Sequence, residues 1–199
     1  PMGLPMSLPV KNGFGFYVSP HMKERYPDVQ FSQFAGAEMM AKKYGLTKDE
    51  LDQYGFRSHE KAIAATQAGD FDDEILGLEV ELEDGTKEVH KVDEGIRFNA
   101  SLEGIQGVKL LVEGGALTAA TSSQICDGAS AVMVVNERGL KDLGVDPIAR
   151  IHHLTVTGGD PVIMLEAPIP ATQVALEKTG MKIDDIDLFE VNEAFASVP

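Results

Sequence analysis

The chain has 199 residues and a formal net charge of −15, which argues against a non-specific nucleic-acid surface. Hydrophobic residues make up 43 % and charged residues 25 %, both ordinary for a soluble globular protein. No apolar run approaches the ~20 residues that a membrane span needs. The single cysteine, Cys126, excludes an internal disulfide and fits a reducing compartment. These totals predict a cytoplasmic protein without a membrane span and without a nucleic-acid partner.

The first 27 residues are rich in residues that break regular structure. They contain five prolines and three glycines, which predict an irregular segment. Phe14, Phe16 and Tyr17 are expected to anchor this segment to an apolar surface.

Three helices are predicted next. The first covers residues 35–44, where apolar side chains recur at spacings of three and four, and Gly45 ends it. Thr47, with a glutamate three residues later, forms a capping box that begins a second helix. Ser58 is a candidate N-cap for a third helix, which Gly69 ends.

A β-hairpin and buried strands are predicted after these helices. In residues 78–83, leucine and valine alternate with glutamate, so one face of a hairpin is expected to be buried and the other solvated. The three glutamates are interpreted as this solvated face rather than as acid–base groups. Residues 131–135 and 148–157 are further strand candidates, with a helix capped by Asn136 between them.

The last part of the chain carries the most informative motif. Residues 188–191 predict a short buried strand, and the polar pair Asn192 and Glu193 follows where that strand ends. Ligands of open α/β sheets bind at this place, outside the carboxyl ends of strands. Residues 192–196, Asn-Glu-Ala-Phe-Ala, resemble a motif of the thiolases. Thiolases are coenzyme A-dependent acyltransferases that make or cleave 3-ketoacyl thioesters.

Further motifs carry the same resemblance, in family order and at about family spacing. They lie at residues 117–124, 127–129, 159–161 and 167–171, and the helical stretch 37–75 is similar to the family's large loop domain. The resemblance identifies the chain as an internal thiolase fragment and implies an α/β fold, a loop domain plus parts of two layered α/β/α halves. We expect the loop domain at residues 1–123, a strand and helix returning to the N-terminal half at 124–146, and the start of the C-terminal half at 147–199.

The resemblance also implies candidate site residues. Asn192 corresponds to the catalytic asparagine, whose amide can orient a water in an oxyanion hole without changing charge. Ser123 corresponds to a serine that contacts the pantetheine arm of coenzyme A. Arg97 corresponds to an arginine at the adenine and ribose phosphate end, where its fork of donors suits phosphate. Phe195 is expected near the acyl group.

Simpler roles remain open for three of these residues. Asn192 is also a plausible cap of the following helix, Phe195 a core side chain, and Arg97 a member of a surface ion pair. Two catalytic cysteines and a histidine of the family belong to parts outside this chain, so we expect the segment alone to be inactive. Cys126 replaces neither cysteine and is expected to be an inert buried thiol.

The implied activity of the full-length protein is that of an acetyl-CoA acetyltransferase or a 3-ketoacyl-CoA thiolase in fatty acid and lipid metabolism. Coenzyme A thioesters are the substrates, and neither a cofactor nor a metal is expected. His152 and His153 are adjacent on a predicted strand and would point to opposite faces. His21, His59 and His90 are expected to be isolated surface residues. We expect a homodimer or homotetramer.

Two alternatives remain open. One is a non-catalytic thiolase-like protein that binds acyl-CoA or sterol-type lipids and keeps the contacts of Arg97 and Ser123. The other is an unrelated acidic α/β scaffold in which the motif is a coincidence. Residues 32–34, Ser-Gln-Phe, stand where many family members carry a His-Met pair, so the sequence leaves the substrate preference open.

Overall fold

The structure is a computed structural model that describes residues 8–15 and 18–199. Its contacts divide the chain into two compact units. Unit A comprises Ala37–Gln124 with Val191–Pro199, and unit B comprises the residues up to Gly36 with Ile125–Glu190. This division follows contacts within the chain, so the predicted family domains at 1–123, 124–146 and 147–199 stay a prediction.

The proline-rich start contains more regular structure than its sequence predicts. Helix α1 spans Pro20–Arg25 because the Ser19 hydroxyl accepts a hydrogen bond from the Met22 N–H at 3.2 Å. Proline is tolerated at its first position, where an N–H has no partner within the helix. Phe14 is 85 % exposed, so within the described residues it does not serve as the predicted anchor. Phe16 and Tyr17, the other two predicted anchors, lie outside the described residues.

Helix α2 confirms the first predicted helix. It spans Gln33–Tyr44 and ends at Gly45, whose φ of 68° is favourable only for glycine. Ala37, Met40 and Ala41 on this helix are at most 2 % exposed, as their spacing predicts.

Helix α3 joins the two helices that the sequence predicts separately. It runs without a break over Lys48–Ala68, 21 residues, and ends at Gly69 in the left-handed region. Its N-terminus has the predicted capping box, in which the Thr47 N–H binds the Glu50 carboxylate at 2.8 Å. Ser58 caps no helix, and its hydroxyl makes a tertiary contact instead. The helix continues because a single serine competes only weakly with an established helix.

The predicted hairpin forms but does not bury a face. Strands β1, Leu78–Glu81, and β2, Lys87–His90, pair antiparallel with Leu78 opposite His90 and Glu81 opposite Lys87. Gly85 provides the turn with a φ of 81°. Leu78 is nevertheless 56 % exposed and Val89 61 % exposed, because no other element covers the two-stranded sheet within the described chain.

The remaining elements of unit A are short. Helix α4 spans Leu102–Gln106, and a 3₁₀ helix spans Ala119–Thr121. Lys48 ties α3 to α4, since its ammonium binds the buried Asp52 carboxylate and the Gln106 carbonyl. The buried apolar side chains among the described residues all belong to this unit: Ala37, Met40, Ala41, Leu51, Ile105, Leu117 and Phe195.

Unit B contains helices but none of the strands that the sequence predicts there. Helix α5 spans Glu137–Leu143, capped by Asn136 as predicted, and α6 spans Pro168–Thr179. A 3₁₀ helix follows at Ile183–Asp185. Residues 131–135, 148–157 and 188–191 form no strand, and their apolar side chains are largely exposed. A strand requires a hydrogen-bonded neighbour, and the described chain supplies none to these segments.

Candidate functional site

Two adjoining cavities lie within unit A. The first has a volume of about 300 Å³ and lies between α3, residues 120–124 and the turn at Asn192. The second has a volume of about 380 Å³ and extends past Arg97 to α4. Four residues line both cavities, namely His59, Ala120, Ser122 and Gln124. The two cavities therefore adjoin along a shared wall, and together they are called the recess.

The C-terminal motif is bound to the wall of the first cavity through its backbone. The Ser123 N–H donates to the Ala194 carbonyl, and the Ala196 N–H donates to the Thr121 carbonyl, both at 2.9 Å. Ser122 and Phe195 form an antiparallel bridge between these two bonds. The motif thus lies beside residues 121–123 in a defined register.

A carboxylate binds the same motif to helix α3. Glu193 accepts hydrogen bonds from the Tyr54 hydroxyl at 2.7 Å and from the Ser58 hydroxyl at 2.6 Å. Partial burial, followed by the hydrogen bond to Glu193, raises the pKa of Tyr54 from 10.0 to about 12. Tyr54 is therefore a permanent donor at neutral pH.

The basic group of the recess is Arg97 in the second cavity. Its guanidinium lies 3.4 Å from the Gln124 side-chain oxygen, and the Gln124 amide nitrogen donates to the Gly95 carbonyl at 2.6 Å. The Arg97 backbone N–H lies 3.4 Å from His59 Nδ1. These contacts hold the segment of Arg97 against α3 and leave the guanidinium exposed.

Sequence models of one known family match most of the chain. A sequence model of the "Thiolase, N-terminal domain" matches residues 21–138, and one of the "Thiolase, C-terminal domain" matches residues 145–199. The chain belongs to the thiolase family.

Curated proteins similar to this thiolase chain carry 3-ketoacyl-CoA thiolase names. The chain is 52 % identical over 174 residues to "Steroid 3-ketoacyl-CoA thiolase FadA6" of Mycobacterium tuberculosis, which covers 87 % of the chain and 41 % of that protein. It is 45 % identical over 163 residues to "3-ketoacyl-CoA thiolase" of Stutzerimonas stutzeri, covering 81 % and 42 %. The chain thus spans about two fifths of the length of these relatives.

Solved thiolase structures confirm the predicted fold class, an α/β fragment of thiolase type. The acetyl-CoA acetyltransferase of Bacillus anthracis superimposes with a TM-score of 0.79 at 34 % identity, covering 86 % of this chain and 43 % of that one. Human mitochondrial 3-ketoacyl-CoA thiolase superimposes with a TM-score of 0.77 at 39 % identity, covering 82 % and 41 %.

Three of the four candidate residues of this thiolase line the recess. Asn192 and Ser123 line the first cavity, and Arg97 lines the second. Phe195 lines neither of these two cavities and is 4 % exposed, so the structure places it in the core beside Ser122. Their assignments to coenzyme A and catalysis stay predictions.

Several residues of the recess have no assigned role in the sequence interpretation. His59 is half-buried and lines both cavities, which corrects its interpretation as an isolated surface residue. Tyr54 and Ser58 are four residues apart on a helix, and this spacing is the one sequence signal that they share a face. Glu193 and Gln124 lie in motifs that the sequence analysis names, but the sequence assigns neither of them a role.

Cys126 is exposed rather than buried as predicted. The nearby apolar residues 131–135 are exposed as well. Within the described part of the chain, no group of three or more histidine, cysteine or acidic side chains is arranged to hold a metal ion. No described helix has the length and apolar character needed to cross a membrane.

Proposed function

We propose that the full-length protein is a 3-ketoacyl-CoA thiolase that cleaves or forms 3-ketoacyl-CoA in lipid metabolism. The observation that carries this proposal is the shared recess, in which Asn192 and Ser123 line one cavity and Arg97 lines the adjoining one. A reacting thioester and the polar end of a long coenzyme would need two such adjoining cavities, one for each end of the substrate.

Asn192 is the proposed catalytic residue in this chain. Its side chain is exposed to the first cavity, and backbone hydrogen bonds fix the segment that follows it. A carboxamide has both donors and an acceptor, so it can orient a water towards a thioester oxygen that gains negative charge. Asn192 would therefore stabilise the transition state more than the bound substrate.

Arg97 and Ser123 are the proposed coenzyme A contacts. The chain carries a net charge of −15, so a polyanionic ligand needs a local positive group. The exposed Arg97 guanidinium, oriented by Gln124, is such a group at the wall of the second cavity. The Ser123 hydroxyl on the first cavity would hydrogen-bond the amide-containing pantetheine arm, between the phosphates and the reacting thioester.

The proposed chemistry requires groups that the chain does not supply. Its one cysteine, Cys126, lies in unit B and lines neither cavity. Acyl transfer through a cysteine would use residues of the full-length protein outside these 199, so we propose that the segment alone is inactive. We also propose a cytoplasmic homodimer or homotetramer, which analytical ultracentrifugation of the full-length protein would test.

Thiolysis of acetoacetyl-CoA by the full-length protein tests the proposal. Removal of one group that stabilises an oxyanion costs roughly 10²- to 10³-fold in kcat, so Asn192→Ala is expected to lose about this much while KM changes little. Asn12→Ala, which changes an exposed amide near the start of the chain, is the matched control. An Asn192→Ala rate equal to wild type would remove Asn192 from the mechanism.

The acyl group that the protein prefers needs a separate comparison. A similar protein is named a steroid 3-ketoacyl-CoA thiolase, and others are named 3-ketoacyl-CoA thiolases without that restriction. We propose a panel of 3-ketoacyl-CoA thioesters with short, long and steroid-derived acyl groups. The thioester with the highest kcat/KM identifies the substrate class, and binding of all of them without turnover would favour a non-catalytic acyl-CoA-binding protein.

A further inference from the structure

We propose that Tyr54 and Ser58 are positioning residues that fix Asn192 by holding the carboxylate of its neighbour Glu193. This inference rests on the proposed function in one respect, since it assigns the reaction to Asn192. The structural part, that two hydroxyls on one helix restrain the Asn192 turn, stands on the geometry alone.

The geometry is that of a two-point clamp. Tyr54 and Ser58 lie four residues apart on α3, so both hydroxyls project from one face of the helix. Each binds a different oxygen of the Glu193 carboxylate, at 2.7 Å and 2.6 Å. Two bonds to two oxygens fix the plane of the carboxylate as well as its position.

The clamp acts on the residue that directly follows Asn192. After Asn192 the chain is held by the backbone bonds of Ala194 and Ala196. Before Asn192, residues 186–190 form no helix or strand. The hydrogen bonds that fix the Glu193 carboxylate therefore limit the freedom of the Asn192 backbone. No helix or strand immediately before Asn192 does so. Displacement of a reacting group by about 1 Å can cost 10²-fold in rate.

The clamp is also suited to neutral pH. The Tyr54 hydroxyl keeps its proton at neutral pH, since the ordinary tyrosine pKa of 10.0 is already far above neutrality and burial and Glu193 raise the pKa of Tyr54 further to about 12. The serine hydroxyl does not titrate, so both donors remain present across the pH range in which a thiolase would act.

Kinetics of the full-length protein test the effect on the reaction. The variants are Tyr54→Phe, Ser58→Ala and their combination, each of which removes a donor and keeps Asn192. The double variant is expected to lose about ten- to a hundredfold in kcat, with KM for coenzyme A within about twofold of wild type. Tyr26→Phe in unit B and Glu60→Gln at an exposed position of α3 are controls that should stay at wild-type rate.

Hydrogen exchange tests the structural part without any need for activity. Removal of the clamp should speed exchange of the Ala194 and Ala196 amides about tenfold or more, while the β1–β2 hairpin exchanges as in wild type. If amide exchange is faster in the double variant but the wild-type protein has no thiolysis activity, the clamp is supported and the proposed function is overturned. Unchanged exchange and unchanged kcat in the double variant would overturn the clamp. If the double variant fails to fold, the same kcat and exchange measurements are made on the Tyr54→Phe and Ser58→Ala single variants. Each of these lacks one donor of the clamp, and the same outcomes support or overturn the proposal.

Discussion

Glu38 on helix α2 accepts a hydrogen bond from the backbone N–H of Leu117 at 3.0 Å, although 79 positions separate the two residues. The other carboxylate oxygen accepts from the Ala116 N–H at 2.8 Å. Leu117 is fully buried and leads directly into the 3₁₀ helix at the wall of the recess. One carboxylate thus joins α2 to the segment that carries Ser123.

This contact predicts a stability loss on Glu38→Gln. The amide keeps one acceptor oxygen and places an N–H₂ group against a backbone donor, so one bond is lost and one donor is left without a partner. The expected cost is about 1–3 kcal/mol in the free energy of unfolding, measured by urea denaturation of the full-length protein. Glu113→Gln, at an exposed position nearby, is the control and should change little. Equal losses in both variants would contradict the structural role of Glu38.

The Tyr54–Glu193 hydrogen bond predicts a stability loss at high pH. The pKa of Tyr54 is raised in the folded state to about 12, against 10.0 as the ordinary value. The contribution of the Tyr54 hydroxyl to the free energy of unfolding is therefore fully present below pH 10, and it disappears as the pH rises from about 10 to about 12. The difference in unfolding free energy between wild type and Tyr54→Phe should shrink over this range. A constant difference up to pH 12 would show that Tyr54 ionises normally.

Removing the charge of Glu193 should lower the pKa of Tyr54. Glu193→Gln keeps the shape of the side chain but removes the charge that, with burial, raises the pKa of Tyr54. Ultraviolet titration of phenolate absorbance, taken as the difference from Tyr54→Phe in each background, should give a lower pKa in the Glu193→Gln protein. An unchanged pKa would show that the charge of Glu193 does not contribute to the shift.

The contacts of Gln124 predict a role in ligand affinity. Gln124→Ala removes the oxygen that orients the Arg97 guanidinium and the amide that binds the Gly95 carbonyl. If Arg97 binds the phosphate end of coenzyme A, calorimetry should show Kd for coenzyme A raised about three- to tenfold, or roughly 0.7–1.4 kcal/mol. Gln53→Ala, at an exposed position of α3, is the control. A Kd equal to wild type in Gln124→Ala would separate Gln124 from ligand binding.

A close approach of the backbone predicts that replacing Gly36 destabilises the protein. A Cβ on Gly36 would lie 2.6 Å from the carbonyl oxygen of Ile163, and a backbone atom cannot turn aside as a side chain can. Gly36→Ala should destabilise unit B by about 1–3 kcal/mol, despite the better helix propensity of alanine. Gly128→Ala, with no atom within 4 Å, should stay within about 0.5 kcal/mol of wild type. Thermal unfolding of both variants checks the difference.

The elements that the sequence predicts correctly are those with local signals. The Thr47 capping box, the Asn136 cap and the stops at Gly45 and Gly69 all depend on residues within one turn of the helix end. These signals act through hydrogen bonds between near neighbours, so they need no knowledge of the rest of the fold.

The predictions of buried strands are wrong because strands depend on distant parts of the chain rather than on local signals. Residues 131–135 are apolar enough for a buried strand, yet Val132 is 87 % exposed, because burial depends on neighbours that the pattern cannot provide. The division of α3 at Ser58 fails similarly, since only the structure shows that its hydroxyl binds Glu193. The resemblance to the thiolases predicts Asn192, Ser123 and Arg97 as site residues, and all three line the recess. The positions of Tyr54 and His59 in the recess, in contrast, are shown only by the structure.

Unit A is completed by a segment that the ribosome synthesises long after the rest. Ala37–Gln124 must wait for Val191–Pro199, and residues 125–190 have to be made in between. At about 5–20 residues per second this delay is roughly 3–13 s. Until it ends, the Tyr54 and Ser58 hydroxyls and the Thr121 carbonyl lack the partners that they have in the finished fold. The recess of unit A therefore cannot be completed until Val191–Pro199 has been synthesised, so its assembly is among the last steps in the formation of this unit.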